Sequence, residues 1–190
     1  MDIYLRLEGC YLNKEPSSVR ILGIDPGTAT VGYGVVQSFV GNGGGGGSDS
    51  LVYISSGIIK TTKDYSPGAR LNIIRTDMLS LINEYAPDII VVEAIFFFKN
   101  AKTLVPVAQA RGVIIEAAAS VGLPIFEYTP MQVKLHLTGF GKADKKLVQV
   151  TIAKLLKLPD IIRPDDASDA LAIAVCHARM AIIQPLALSG

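Results

Sequence analysis

Asp25, Glu93, Asp166 and Asp169 are the side chains whose type and placement suggest chemistry. Asp25 closes the apolar run Arg20-Ile-Leu-Gly-Ile-Asp25 and opens directly into Pro26-Gly27-Thr28. Glu93 closes a second apolar run, Ile89-Ile-Val-Val92, while Asp166 and Asp169 stand near a helix start. Each acid also has a plain explanation: aspartate starts turns, acids favour helix N-termini, and strand ends are often wet. Together they say more. Carboxylates gathered at one point repel, and some would take up protons unless a cation compensates. Oxygen-only ligands without a Cys or His cluster suit Mg²⁺, with Mn²⁺ as the alternative. Two such ions about 3.5–4 Å apart activate water and stabilise the leaving oxygen of a phosphodiester. The expected chemistry is therefore metal-dependent phosphodiester cleavage, most naturally of nucleic acid. No Gly-x-x-x-x-Gly-Lys-Ser/Thr sequence is present, which disfavours a P-loop nucleotidase.

The elements that must hold these acids follow from periodicity. Residues 20–25, 31–39 and 51–59 read as strands joined by short connections, so they should pair as antiparallel hairpins. Pro67 to Tyr85 repeats apolar residues at helical spacing, whereas Ile89 to Val92 is continuously apolar, as in a buried strand. A helix is expected from about Thr103 to Ser120, with Pro106 tolerable only in its first turn. A fifth strand spans 124–128, helices cover 131–137 and 142–156, and the last helix runs from Pro164 to Met180. The later strand–helix–strand units should be parallel and right-handed. The fold class is thus α/β, a mixed five-stranded sheet (three antiparallel strands, then parallel ones) flanked by helices. Strands 1 and 4 would lie side by side and end in carboxylates on the same edge. Asp166 and Asp169 share a helix face; Asp165 with Asp169 would serve nearly as well. The 103–120 helix is apolar beyond one sheet contact, which hints at a partner subunit.

Composition sets the outer bounds. The 190 residues suit one domain, expected over 19–182. Residues 1–18 form an extension without periodicity, expected to be disordered unless translation starts nearer Val19. Gly41-Asn-Gly-Gly-Gly-Gly-Gly-Ser48 reads as a flexible hairpin tip, and 183–190 as a tail. Hydrophobic residues make up 49% of the chain, enough for a sizeable core, yet no apolar run is long enough for a membrane span. The first residues lack the pattern of a secretory signal, and the two cysteines form no metal or disulfide framework. The expected location is cytoplasmic, away from membranes. Net charge is only +1, but between Ala94 and Arg163 ten basic residues face four acidic ones. Such a cluster can hold phosphates, although single lysines are more often solvated surface.

With these features assembled, the chain resembles a RuvC-type Holliday-junction resolvase, a ribonuclease-H-like endonuclease. The similarity runs from about Arg20 to Ala178. It is carried by Ile24-Asp25-Pro-Gly-Thr, Val92-Glu93-Ala-Ile-Phe96, Lys99-Asn-Ala101, Gln109-Ala-Arg-Gly112, Phe126-Glu-Tyr128 and Asp166-Ala-Ser-Asp169-Ala-Leu-Ala. The resemblance implies that Asp25, Glu93, Asp166 and Asp169 are the catalytic metal ligands, choosing Asp166 over Asp165. It implies a homodimer that nicks a four-way DNA junction symmetrically, working with a branch-migration motor complex. It maps a junction-stacking aromatic onto Phe96 and DNA-contacting bases onto Lys134 and Lys145, with Lys142 and Lys146 as auxiliaries. Ala94 departs from the pattern, since a polar residue is common there. His177 reads as structural. Two other readings stand beside this one. An actin-like or sugar-kinase-like ATPase also opens on Asp-x-Gly-Thr, but needs two related domains; a catalytically dead DNA-binding relative would keep the fold without the activity.

Overall fold

A computed structural model of the chain describes residues 18–39, 51–95 and 101–187, without the side chains of 101–103 and 181–187. Of the expected N-terminal extension 1–18, residues 1–17 lie outside the described residues and Ser18 begins the first strand; the glycine-rich tip 41–48, Phe96 and Lys99 also lie outside them. The strands are β1 (Ser18–Asp25), β2 (Thr30–Phe39), β3 (Leu51–Lys60), β4 (Ile89–Glu93) and β5 (Ile125–Tyr128). The helices are α1 (Pro67–Tyr85), α2 (Ala101–Ser120), α3 (Pro130–Thr138), α4 (Lys145–Leu155) and α5 (Asp165–Ala187). The sheet order is β3-β2-β1-β4-β5. β1–β2 and β2–β3 are antiparallel, while β1–β4 and β4–β5 are parallel, as the chain pattern predicts.

Helices cover both faces. Leu22, Ile24, Ile90 and Val92 point to the side covered by α1 and α2, where Ile74, Met78 and Ile114 complete a core. Ile21, Ile89 and Val91 point to the other side, where Leu171, Ile173, Val133 and Ile152 from α5, α3 and α4 meet them. Both edges of each central strand are paired and both faces buried, which is why β4 reads as unbroken hydrophobicity.

Several boundaries differ from the sequence expectation, each for a local reason. α2 begins at Ala101, so Pro106 is its sixth residue and lies inside the helix rather than in its first turn. A proline there removes one backbone bond near the open N-terminal end, and Ala110, Ile114 and Ala117, fully buried further along, hold the helix on the sheet. α4 starts later than Lys142 because Asp144 caps it, its carboxylate accepting from the Leu147 N–H at 2.7 Å. α3 ends where Gly139 takes the left-handed conformation, φ 76°. α5 continues past Met180 to Ala187.

Candidate active site

Register and pleat settle where two of the acids go. Ile24 pairs with Val92 in the parallel β1–β4 ladder, so the next residues, Asp25 and Glu93, stand side by side. Side chains alternate along a strand. Since Ile24 and Val92 face α1 and α2, Asp25 and Glu93 face α5.

The sheet carries glycines where α5 crosses it. A Cβ on Gly32 would run into the backbone carbonyl of Asp166, and one on Gly34 would lie 2.7 Å from the Leu171 nitrogen. Gly23 is equally crowded by Ala170 and Ala174. Bare backbone on the strands, with Ala167, Ala170 and Ala174 on the helix, allows this close approach. It brings the first turn of α5 against the strand ends that bear Asp25 and Glu93.

Electrostatics records the convergence. Asp25 and Glu93 hydrogen-bond to each other. Burial first, then the charges of Glu93, Asp169 and Asp166, push Asp25 up to about 8. Burial and the charge of Asp169 also raise Glu93, opposed by the Asp25 bond and by Lys134 and Lys145. The strand pair therefore shares a proton near neutral pH in the absence of a cation. Asp165 is engaged elsewhere. It accepts from Arg163, from Gln149 Nε2 at 3.1 Å and from Lys145 Nζ at 3.3 Å, and the Lys145 bond leads the effects that lower its pKa.

Lys145 also donates to Asp169 Oδ2 at 2.8 Å. Burial works against its charge, yet its bonds to Asp169 and Asp165 leave its pKa above the ordinary value. Lys134 lies close enough to favour ionised Glu93. Lys142 and Lys146 are exposed; Lys146 lines a groove of about 490 Å³ with Lys154, Lys157 and Asp160. Of the sequence candidates, the fold thus brings together the four acids with Lys134 and Lys145.

Among the described residues, no three carboxylate, imidazole or thiolate groups are closed around a common ligating point. The donor chemistry nonetheless fits a hard divalent cation. The set is all carboxylate, one pair holds a proton that a cation would replace, and Asp169 already accepts a positive charge from Lys145. His177 takes no part: it is buried, its Nδ1 lies 2.9 Å from the Tyr128 hydroxyl, and its ring centroid is 4.5 Å from that of Phe126. Burial pushes it down to about 4, so it is neutral at ordinary pH.

Arg70, in the first turn of α1, is a site residue that sequence reasoning missed. Its Nη2 donates to the Thr28 carbonyl at 2.6 Å and its Nε to Thr61 Oγ1 at 2.8 Å. Thr61 Oγ1 in turn donates to the Thr28 carbonyl, and Thr61 N–H donates to Ala29 O at 3.0 Å. The turn after Asp25 is thereby clamped from the neighbouring hairpin and from α1. An arginine in a helix's first turn has no sequence signal that sets it apart from a surface charge.

The family model described as crossover junction endodeoxyribonuclease RuvC matches residues 21–177. A protein of that description from Moorella thermoacetica is 48% identical over 161 residues, covering 85% of this chain and 92% of the relative. One from Syntrophomonas wolfei subsp. wolfei is 46% identical over 159 residues, covering 84% and 88%. Among solved structures, Thermus thermophilus RuvC in complex with Holliday junction substrate superposes with a TM-score of 0.78 at 31% identity, covering 87% of this chain and 96% of that one. The yeast mitochondrial Holliday junction resolvase Ydc2 shares the fold, with a TM-score of 0.60 at 14% identity over 94% of this chain and 87% of that one.

Proposed function

The chain belongs to the RuvC family of crossover junction endodeoxyribonucleases, and from this premise we propose how its own residues resolve a four-way DNA junction by paired symmetric nicks. The observation that carries the reading is the meeting of two strand-end acids with two helix acids over a glycine floor. Asp25, Glu93, Asp166 and Asp169 would hold the metal, with Mg²⁺ favoured, Mn²⁺ possible in its place, and two ions per site. Divalent cations bound there supply an activated water and neutralise charge on the leaving oxygen. The chain contributes position. Asp25 and Glu93 sit on rigid strands, Arg70 fixes the turn beyond Asp25, and α5 brings its two acids down onto the sheet. Lys145, bonded to Asp169 without DNA, is close enough to exchange that carboxylate for a scissile phosphate. Lys134, Lys142 and Lys146 hold flanking phosphates and set the register of the arms. Phe96 is the proposed stacking aromatic at the branch point.

A symmetric substrate suits a two-fold dimer. Val105, Ala108, Gly112, Ile115 and Ala119 follow a helical stripe on α2; all but Ile115 are exposed, and a Cβ on Gly112 would meet nothing within 4 Å. That stripe supports a homodimer through α2, with a branch-migration motor complex as a further partner. Family membership sets aside the ATPase alternative. No described helix is long and apolar enough to cross a membrane; the expected location remains cytoplasmic.

The test is cleavage of a synthetic four-way junction with Mg²⁺, comparing wild type, Asp25→Asn and a linear duplex. Paired symmetric nicks on the junction alone, lost in the variant while junction binding persists, support the reading. No cleavage despite tight binding points instead to an inactive relative.

A further inference from the structure

The turn between α3 and α4 carries an aromatic ring that neither the core nor the metal site uses. Phe140 is 58% exposed, in the sequence Gly139-Phe140-Gly141. Its backbone is nonetheless firmly held. Its N–H donates to Thr138 Oγ1 at 3.2 Å, its carbonyl accepts from the Ala143 N–H at 2.9 Å, and Thr138 Oγ1 also donates to Lys134 O at 2.7 Å. Ala143 is buried and anchors the turn from below. Gly141 packs on Met131, where an added Cβ would come within 3.1 Å of its Cγ, and Met131 and Leu135 are exposed beside it. A pinned turn that presents a large ring to water has no evident use in folding.

Its surroundings are cationic and continuous with the acid cluster. The helix before it carries Lys134, which bears on Glu93; Lys142 lies within the turn; the helix after it opens with Lys145, bonded to Asp169, and Lys146. Lysines that hold phosphates on either side of an exposed ring place that ring against sugars and bases. Proteins use such apolar wedges and stacking platforms on nucleic acid.

We propose that Phe140 is a second aromatic contact to the bound junction, packing on a nucleotide of the arm held by Lys134, Lys142 and Lys145. This rests on the nuclease reading above, and the experiment separates the two. The chain contains no tryptophan, so Phe140→Trp introduces a unique fluorophore. The full-length variant is titrated with a dye-labelled four-way junction in EDTA, following dye anisotropy for binding and indole emission for contact.

Phe140→Trp is expected to bind as wild type does, with its emission strongly quenched at saturation. Phe140→Ala is expected to bind about tenfold more weakly, the effect of losing one base–aromatic contact, with its thermal stability unchanged. Junction binding with unmoved emission and an unchanged Phe140→Ala affinity overturns the Phe140 contact and leaves the nuclease reading intact. Absence of junction binding by wild type overturns both. Emission that shifts with protein concentration alone, together with a change in sedimentation, makes this patch a self-association surface and overturns the DNA contact.

Discussion

Replacing Asp25 by Asn should stabilise the metal-free protein, and increasingly so as pH rises from about 4 toward 8. Asp25 ionises near 8 in the folded chain, against about 3.8 when exposed. The folded state therefore binds more protons than the unfolded state between these values, and stability falls as pH rises. His177 acts in the opposite sense. Its value drops from 6.5 to about 4, so it destabilises the fold as pH falls below 6.5 and is neutral in both states above it. The window from pH 6.5 to 8 isolates the carboxylate. Across that window the change has a ceiling of roughly 2 kcal/mol, at about 1.4 kcal/mol per pH unit. Relaxation and water entry lower it, and Glu93 shares the same proton, so the two groups do not add. At roughly 2–4 °C per kcal/mol for a domain of this size, wild type in EDTA should melt a few degrees lower at pH 8 than at 6.5. Asp25→Asn, still able to donate to Glu93, should be flat across the window and melt above wild type at pH 8. Added Mg²⁺ should raise the wild-type melting temperature at pH 8 and leave the variant nearly unmoved. Differential scanning calorimetry reads all of this directly. A wild type that is flat from pH 6.5 to 8, with a variant destabilised equally throughout, would refute the buried, mutually repelling cluster.

Other perturbations reach the same site by different routes. Gly32→Ala pushes a methyl into the Asp166 carbonyl; it should cost about 1–3 kcal/mol by overpacking and slow cleavage by about a hundredfold through misplaced acids, read by calorimetry and single-turnover kinetics. Arg70→Lys keeps the charge but loses the fork onto Thr28 and Thr61; kcat should fall several-fold while junction affinity stays put, and equal loss of both would show that Arg70 only supports the fold. Junction affinity should drop steeply with salt: four phosphate-holding lysines give a log–log slope of about −3 to −4, and each Lys→Ala should remove about 1 from it. A salt-independent affinity would end the phosphate role of Lys134, Lys142, Lys145 and Lys146.

Sequence exposed the sheet more fully than the site. Unbroken apolar runs that stop at an acid marked β1 and β4 as buried neighbours, and the Asp-Pro-Gly turn marked where β1 ends. The alternate glycines of β2 were visible too, but their purpose was not. Only the path of α5 across Gly23, Gly32 and Gly34 shows that missing side chains set the depth of Asp166 and Asp169. Spacing alone left Asp165 and Asp166 equivalent. Contacts from Lys145, Arg163 and Gln149, all distant or unpatterned in sequence, draw Asp165 out of the cluster. Arg70 and Thr61 stayed hidden for the same reason: their bonds cross from a helix and from the residue after the outer strand to a turn more than thirty residues earlier.

The division of the acids between sheet and final helix also orders events in time. Asp25 and Glu93 are synthesised well before Asp166 and Asp169, and the strands that carry the first pair can align before α5 exists as a docked helix. A growing chain, or one cut short before α5, carries Asp25 and Glu93 without the helix that buries them and without the two acids proposed to complete the metal site. On the proposed assignment of the four acids, the ability to break DNA arrives in a single late step, when α5 settles onto the glycines, and a half-made copy leaves the chromosome beside it uncut.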